Sequence, residues 1–450
     1  MKKKTAIIFL SAAALIFLWG LLKFVVGGNE DEWICDNGIW VAHGKPASGP
    51  PEEGCEFRLS VDVSGEWIAE EEKEEETEEG EEVKTVSILP TEILSSKELS
   101  EIIGDAVNWL KQAQEENGHF RYEYSVLSDT YSEDDNMVRQ TGALYILGEV
   151  LIRDKGENYA LKENIEKAIS FFEENSEFGE MNEYKFRCVL RSSKICSLGG
   201  TGLALVGILD LVNVYPELGV KCDKLAADYL NFILAMKKPS EGFRDRYYLE
   251  DEQSEEESDF SNGEALLALA RYYEYRPAEE VKRVIDESFD YFSEKYGQNP
   301  DFNFYLWGMA AVKKMNEIEP RSGYVDFVKN YTDWRIDGYK NRRDSILNYC
   351  AYFEGVVSAY SVLEPNIGNR EKEYYLEEIN YWLSRSCALQ VDGSGFVDLV
   401  FGGNEARMKV LDTEKARGGF LTALNNPLQR IDYTQHCLSA YLQKLEDIDN

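Results

Sequence analysis

Basic residues are scarce in this sequence. Its 450 residues include 48 Lys and Arg against 83 Asp and Glu, which leaves a formal net charge of −35 at pH 7. Strong binding of nucleic acid depends on Lys and Arg that neutralise phosphates, and docking on anionic lipid depends on the same positive charge. The composition therefore argues against both kinds of partner, whereas it places no constraint on small neutral substrates.

Paired metal-binding motifs are missing as well. The chain has 8 Cys and 3 His, yet it contains no Cys-x-x-Cys pair and no Cys-His-Gly sequence. His43 could be a metal ligand, but a lone histidine beside a tryptophan and two cysteines is more often structural. We therefore predict no metal and no other cofactor.

The first 27 residues predict a membrane anchor. Three lysines precede about 21 mostly apolar residues, a length that spans a bilayer, and lysines remain on the cytoplasmic side. The alternative is a cleaved signal peptide, whose apolar region would be shorter and followed by a small-x-small site. No clean site follows Val26, so we expect a single-pass protein of the cell membrane with most of its chain outside the cytoplasm.

Two segments separate this anchor from the rest of the chain. Residues 28–64 include Cys35 and Cys55, which bracket a Gly- and Pro-rich stretch, and outside the cytoplasm a disulfide between them is expected. Residues 65–94 are dense in Glu and have no apolar period, a composition that does not fold. We interpret this second segment as a solvated spacer, with Ca²⁺ collection as the alternative.

From residue 95 to residue 447 the sequence alternates between two kinds of helix. One kind is apolar on nearly every face after a polar first turn, as in NGEALLALARYY at residues 262–273, and must be buried on most faces. The other kind is amphipathic with one charged face, which predicts an outer position with one side in water. Ser95 and Glu98 form a predicted capping box at the first outer helix.

The alternation repeats for about six rounds, and repeats of helical hairpins form either an open solenoid or a closed ring. We favour the ring, because a solenoid would leave one face of each inner helix exposed to solvent. The pattern resembles the (α/α)6 toroid superfamily, which includes six-hairpin glycosidases, polysaccharide lyases, sugar epimerases, terpenoid cyclases and prenyltransferase β-subunits. The resemblance implies an all-α toroid of six helical hairpins over residues 95–447.

Some outer helices also end in a sequence similar to the QW signature, with Trp-Leu, then Gln, then Gly-x-aromatic. Residues 109–120 and 382–396 have this order, and residues 232–243 are a degenerate copy. In this signature the glycine permits the turn after the helix, and the aromatic ring packs the returning chain against it. The signature supports the fold and says little about any one activity.

Two activities of the superfamily fit the sequence less well. Terpenoid cyclases use a DxDD acid motif, which SEDDN at residues 132–136 does not match, and they usually pair two barrels where this chain has room for one. Prenyltransferases and lanthionine cyclases hold zinc through Asp, Cys and His at set positions that have no counterpart here. Some cysteines of the toroid could instead pair as disulfides, in a connectivity that the sequence does not give: Cys188, Cys196, Cys222, Cys350, Cys387 and Cys437.

The inner helices of such a toroid run parallel, so the polar residues at their N-terminal ends share one face, where anionic groups are favoured. We predict the functional site at this mouth. The predicted catalytic residues are Glu264, Asp134, Asp432 and His436. The predicted substrate-binding residues are Asp135, Asn136, Arg139, Gln140, Asn262, Trp307, Tyr305, Tyr352, Glu354 and Tyr433. We expect four loop aromatics at the same face: Phe120, Phe243, Phe304 and Phe396.

Carboxylates, amides and aromatic rings are the groups that bind sugar hydroxyls and stack on pyranose rings. Hydrolysis of a glycosidic bond needs two carboxylates across that bond, and Glu264 could supply one, with Asp134, Asp135 or Asp432 as the other. Lyase or epimerase chemistry needs a base near a sugar C–H bond, a role for which His436 or Tyr433 is suited.

Each of these residues also has a structural alternative. The aspartates could be helix caps or first-turn acids, and His436 and Trp307 could belong to the core. Glu264 and Glu354 are more informative, because a buried acid costs free energy unless it is paired. Two functions therefore remain open: a membrane-anchored glycoside hydrolase, lyase or epimerase, or a non-catalytic glycan- or protein-binding scaffold. The sequence names neither the substrate nor a protein partner.

Overall fold

The computed structural model divides the chain into two units, Met1–Thr85 and Val86–Asn450. It describes residues 92–157, 159–343, 345–401 and 403–448 of the second unit and two strands of the first. These strands, β1 (Glu32–Asp36) and β2 (Ile39–His43), form an antiparallel hairpin in which Cys35 lies opposite Trp40. Cys55 and all of the predicted acidic spacer before residue 92 lie outside the described residues, so the Cys35–Cys55 disulfide stays a prediction.

Within the described residues, no helix combines the length and the apolar character needed to cross a membrane. The anchor predicted at residues 1–27 lies outside them.

Twelve long helices are found in the described part of the second unit. In chain order they are α1 (Ser96–Ala113), α2 (Met137–Asp154), α3 (Lys162–Glu174), α4 (Leu198–Val214), α5 (Gly219–Met236), α6 (Asp259–Tyr275), α7 (Glu279–Gln298), α8 (Phe302–Ile318), α9 (Ser322–Tyr339), α10 (Cys350–Leu363) and α11 (Asn369–Ser386), then the short α12 (Thr413–Ala416) and finally α13 (Ile431–Gln443). The capping box between Ser95 and Glu98 is present at α1, as predicted.

Six of these helices form a closed inner ring. Going round it, α2, α4, α6, α8, α10 and α13 each pack on the next, and α13 packs back on α2. The remaining long helices, α1, α3, α5, α7, α9 and α11, form the outer layer. The predicted (α/α)6 toroid of six helical hairpins is therefore confirmed.

The two layers differ in burial as the sequence pattern indicates. In α4, every residue from Leu198 to Val212 is buried, which suits an inner helix with neighbours on all sides. Outer helix α7 buries only one stripe, at a spacing of three and four residues, and its remaining faces are charged. Close approach of the inner helices depends on glycine at Gly207, where a Cβ would lie 2.5 Å from Leu144 of α2.

Short strands lie in the connections from outer to inner helices, and the all-α prediction omitted them. One antiparallel sheet has the order β11-β12-β3-β4 and another the order β5-β6-β7-β8, while β9 and β10 form a separate hairpin. The strands are β3 (Glu123–Ser125), β4 (Thr130–Tyr131), β5 (Ser176–Met181), β6 (Tyr184–Ser192), β7 (Ile195–Ser197), β8 (Arg246–Tyr248), β9 (Phe396–Phe401), β10 (Asn404–Lys409), β11 (Leu421–Ala423) and β12 (Asn426–Arg430). All of them therefore lie on the side of the barrel that carries the mouth.

Three outer helices end in the same kind of loop. Isolated β-bridges join Gln114 to Phe120, Lys237 to Phe243, and Gln390 to Phe420. The first two match the predicted QW-like copies.

The third copy was predicted with the wrong aromatic residue. The hairpin of β9 and β10 is inserted between Gln390 and Gly418, and Phe396 on that hairpin is 41% exposed. The Gly-x-Phe element recurs further along the chain at residues 418–420, where Phe420 is fully buried. The insertion contains Gly395-Phe396, which lies nearer to Gln390 in the sequence than Phe420 does, and this led to the wrong assignment.

Two disulfides are found in the described residues. Cys188–Cys196 joins β6 to β7, and Cys350–Cys437 joins α10 to α13. Cys222 and Cys387 are free thiols. The expectation that some toroid cysteines pair is confirmed, with Cys222 and Cys387 left out of the pairing.

Candidate functional site

The mouth begins where the loop from α1 enters α2. Asn136 is the residue before α2, and its side-chain oxygen accepts hydrogen bonds from the backbone N–H groups of Val138 and Arg139, at 3.0 and 3.3 Å. This is the N-cap arrangement that satisfies otherwise unpaired helix donors. Asn136, predicted to bind substrate, thus fixes the start of the helix that carries Arg139.

Two arginines share one buried aspartate at the start of α13. Arg430 donates to both carboxylate oxygens of Asp432, at 2.9 and 2.8 Å, and Nε of Arg139 lies 3.0 Å from the same carboxylate. Burial alone would raise the pKa of Asp432, but the two guanidinium groups hold it well below its usual value. Asp432 therefore stays ionised and orients the arginines, and it has no proton to donate.

Aromatic rings flank this cluster. The Arg430 guanidinium lies 5.5 Å from the ring centre of Tyr122 and 4.8 Å from that of Tyr433, within the range of a cation–π contact. Arg139 also donates to the Tyr122 hydroxyl. Tyr433 was predicted at this face, whereas Tyr122 was not.

Glu123, next to Tyr122, is a second mouth residue that the sequence analysis missed. It lies on β3, opposite Arg430 of β12. Burial raises the pKa of the Glu123 carboxyl, and the neighbouring Asp134 adds to the rise while Arg430 opposes it. The alternating burial of residues 120, 122, 124 and 126 is the signal of a strand, and it would have placed Glu123 on the opposite face from these core residues.

His436 and Glu354 form a second buried polar pair at the mouth. Glu354, one turn into α10, is 2% exposed, and its carboxylate lies 2.7 Å from Nδ1 of His436 on α13. The imidazole side chain is 17% exposed. A carboxylate only accepts hydrogen bonds, so Nδ1 carries the hydrogen and Nε2 of the neutral ring carries the lone pair.

The histidine also belongs to the Asp432 cluster. His436 lies one turn after Asp432 on α13, and the positive charge of its protonated form would help to lower the pKa of that aspartate. The structure thus brings together Arg139, Glu354, Asp432 and His436, which the sequence had placed on three separate helices.

Below His436, two aromatic rings meet across the barrel. Trp307 of α8 has its ring centre 5.9 Å from that of His436 and 5.2 Å from that of Tyr145, in an edge-on contact. Tyr145 belongs to α2, which lies opposite α8 in the ring of inner helices. Both rings are buried, and their contact joins these two opposite helices beneath His436.

Glu264 occupies a different part of the ring. It is buried on α6, which lies opposite α13, and a Cβ at Gly199 of α4 would lie 1.7 Å from its carboxylate oxygen. The absence of a side chain at position 199 therefore makes room for this acid. Its predicted partner Asp432 belongs to the arginine cluster on the far side of the ring.

The predicted residues Asp135 and Gln140 brace the loop at the outer edge of the mouth. Gln140 exchanges hydrogen bonds with the backbone of Phe120, at 2.8 and 2.6 Å, and donates to Asp135 at 2.7 Å. Asp135 also contacts His119 at 3.2 Å, and this hydrogen bond raises the pKa of His119. Asp134 is exposed to solvent beside them.

Three other predicted residues turn towards the outer helices. The Asn262 side chain accepts from the Phe243 backbone N–H at 3.0 Å. The Tyr305 hydroxyl lies 3.1 Å from the Thr332 hydroxyl on α9. Tyr352 donates to Glu378 of α11 at 3.0 Å and stacks on Tyr339 of α9. The loop aromatics Phe120, Phe243 and Phe304 are likewise buried in the core. These contacts join the two layers of helices.

Among the described residues, no group of three or more His, Cys, Asp or Glu side chains has an arrangement that could hold a metal ion.

Comparison with known proteins gives matches in structure alone. A scan against protein-family models finds no match, and neither does a search of the curated proteins. A D-mannose isomerase matches with a TM-score of 0.56 and 12% identity, over 78% of this chain and 98% of that chain. A family 76 glycoside hydrolase from a bovine Bacteroides thetaiotaomicron strain matches with a TM-score of 0.55 and 9% identity, over 77% of both chains.

A sugar epimerase from a ruminal bacterium also matches, with a TM-score of 0.54 and 11% identity, over 78% of this chain and 99% of that chain. At these identities the matches establish a shared fold alone, the (α/α)6 toroid.

Proposed function

We propose that this protein is a carbohydrate-active enzyme in which His436, held by Glu354, transfers a proton on a sugar bound at the mouth. The observation that carries the proposal is the 2.7 Å hydrogen bond from the partly exposed imidazole to a buried carboxylate. A base oriented in this way has its free nitrogen available to substrate. The isomerase and epimerase among the structures of this fold act on the substrate class that such a base suits.

The reaction that these residues favour is an isomerisation at a sugar carbonyl. Nε2 of His436 takes the proton from the carbon beside the carbonyl and returns it to the carbonyl carbon. The hydroxyl group on the carbon that lost its proton passes its own proton to the carbonyl oxygen. Glu354 stabilises the imidazolium that forms between the two steps. One histidine suffices for this transfer, because the proton leaves and returns on the same face of the sugar.

The arginine cluster supplies the complementary charge. Arg139 and Arg430 are both held in place by Asp432. Guanidinium N–H groups fixed in this way favour the negative oxygen that develops on the sugar when its proton is removed. Trp307, under the imidazole, offers an apolar edge to the sugar ring.

Glycoside hydrolysis is a second candidate, favoured by a specific pair of acids. The raised pKa of Glu123 suits a general acid, and the exposed Asp134 beside it is a carboxylate that could act as its partner. Glu123 and Asp134 lie at the mouth but outside the His436–Glu354 contact. The two candidate reactions therefore predict different losses of activity in the Glu123 and His436 variants.

The deciding experiment uses the full chain in D2O with aldoses, ketoses and mannose-containing oligosaccharides, followed by NMR. Isomerisation places solvent deuterium on the product carbon, and His436→Asn should lower turnover by about 10²- to 10⁴-fold. His119→Asn, which removes the other histidine of the toroid, should leave turnover unchanged.

Release of reducing sugar without deuterium, lost in Glu123→Gln and retained in His436→Asn, would instead establish hydrolysis. Saturable sugar binding without turnover would establish the non-catalytic scaffold.

We also propose that the protein is anchored by residues 1–27 with the toroid outside the cytoplasm. The two disulfides support this location, because disulfides persist in oxidising compartments. Protease added to intact cells should degrade the toroid if it is outside, and a protected toroid would refute the proposed topology.

A further inference from the structure

The seam between α10 and α13 is tied at three levels. The Cys350–Cys437 disulfide lies at the first turn of α10. One turn further, Glu354 contacts His436 at 2.7 Å, and after another turn Ser358 donates to Gln443 at 2.9 Å. Residues 350, 354 and 358 are four apart, which places all three on one face of α10.

The disulfide directly adjoins the two residues of the proton-transfer pair. Cys437 follows His436 in sequence, and Cys350 precedes Glu354 by one turn. The bond joins positions separated by 87 residues and holds their Cα atoms 4.7 Å apart. Both cysteines are buried, so this bond is a fixed clamp rather than an exposed thiol pair.

The first turns of α10 and α13 are fixed by groups other than their own N-cap residues. Tyr349 and Arg430 make no side-chain capping hydrogen bond. The disulfide crosses the seam at this level and ties the two first turns to each other.

Asn348 completes the clamp. Its side-chain oxygen accepts from the Cys350 backbone N–H at 2.9 Å, and its amide nitrogen donates to the Leu421 carbonyl at 3.0 Å. The same nitrogen lies 3.4 Å from the sulfur of Cys437. The start of α10 is thereby fixed against the loop that leads into α13.

We infer that the Cys350–Cys437 disulfide is a positioning element that holds His436 in register with Glu354 and fixes its Nδ1–H tautomer. The inference rests on the proposed function for its catalytic meaning. Without the bond, α10 and α13 keep their apolar packing, but the first turns shift and the 2.7 Å contact is lost. The imidazole then populates both tautomers, and the lone pair on Nε2 is no longer held in one orientation at the mouth.

The test compares two disulfide deletions. Cys350→Ser/Cys437→Ser removes the clamp, and Cys188→Ser/Cys196→Ser removes the β6–β7 bond as a matched control. Each full-length protein is labelled with ¹⁵N-histidine, and the ring tautomer is read from long-range ¹H–¹⁵N spectra. The chain has only 3 histidines, so His436→Asn and His119→Asn assign the signals.

We expect the wild type and the control to show His436 with hydrogen on Nδ1, and the clamp deletion to show a mixture of tautomers. In the clamp deletion, kcat should fall on the order of 10- to 100-fold while KM stays within about twofold, as misplacement of a catalytic group by about 1 Å produces. The control should keep the wild-type kcat.

An unchanged His436 tautomer in the clamp deletion would overturn the inference. So would a clamp deletion that fails to fold while the control folds, because the bond would then serve the fold and not the site. If His436→Asn retains turnover but the tautomer still depends on the bond, the proposed function fails and the positioning role stands.

Discussion

Asp432 and Asp210 are two buried aspartates with opposite electrostatic surroundings. Asp432 has two arginines and remains charged. Asp210, on α4 towards the other end of the barrel, contacts Arg271 but shares it with Glu149. Burial raises the pKa of Asp210 to about 7, with Glu149 adding to the rise and Arg271 opposing it.

The first residue-scale prediction concerns Asp432. Asp432→Asn leaves two buried arginines without their anion, which should lower the free energy of unfolding by about 3–5 kcal/mol. Urea denaturation followed by circular dichroism measures the loss. Asp134→Asn, at an exposed position, is the control and should change stability by less than about 0.5 kcal/mol. Equal losses of stability in the two variants would refute a stabilising role for the ion pairs that Asp432 makes with the two arginines.

The second prediction concerns pH. The folded-state pKa of Asp210 is raised from the ordinary value of an aspartate to about 7, so its protonated form is favoured by folding. This contribution is fully present below the unfolded pKa and is lost as pH rises towards the folded pKa. Wild-type stability should therefore fall relative to Asp210→Asn between pH 4 and pH 7.

Calorimetric Tm values across that pH window check the prediction, with Asp228→Asn, a partly exposed residue of α5 that pairs with Lys224, as the control. A constant Tm difference between wild type and Asp210→Asn would contradict it.

At the scale of secondary-structure elements, the first and the last QW-like loops of the toroid make equivalent contacts. Gln114 donates to the Asn164 carbonyl of the next outer helix at 2.9 Å. Gln390 donates in the same way to the Ile102 carbonyl of α1, also at 2.9 Å. The first and last loops therefore follow one design, and the last one joins the end of the ring to its beginning.

The third prediction concerns the glycines of these loops. Gly118 and Gly418 both have φ of +94°, and a Cβ would lie 2.1 Å from the Lys167 carbonyl oxygen and 2.0 Å from that of Asp105, respectively. Alanine at either position should cost about 1–3 kcal/mol or more of stability, measured by urea denaturation. Gly297→Ala in α7, where a Cβ meets nothing within 4 Å, should be neutral or stabilising. A neutral Gly418→Ala would show that the loop can relax.

The type of a secondary-structure element could be predicted where its hydrophobic pattern extended over many residues. Inner helices such as α4 were recognised because a run of small apolar residues longer than a strand admits one interpretation. The strands β3 and β4 have only 3 and 2 residues, and the alternating pattern over residues 120–126 that marks them was overlooked beside the much longer helical patterns. Because these strands were not predicted, Glu123 was not recognised either, since its position at the mouth depends on the pairing of β3 with β12.

For the whole molecule, the toroid follows from the number of hairpins and the burial of the inner helices. The mouth was correctly expected to gather helix N-termini, since parallel helices leave no other arrangement. Which of its polar residues touch was not predictable. Arg139 and Asp432 are far apart in sequence and meet because α13 packs on α2, whereas Tyr305 and Tyr352 turn outwards to partners on α9 and α11.

The edge-on contact between Tyr145 and Trp307 joins two opposite helices of the ring, α2 and α8, beneath His436. If a sugar binds at His436 as proposed, this contact would close the barrel behind it, so that reactant and product would exchange through one opening. Product would then compete with incoming reactant, and a long polysaccharide would present only its terminus to the base.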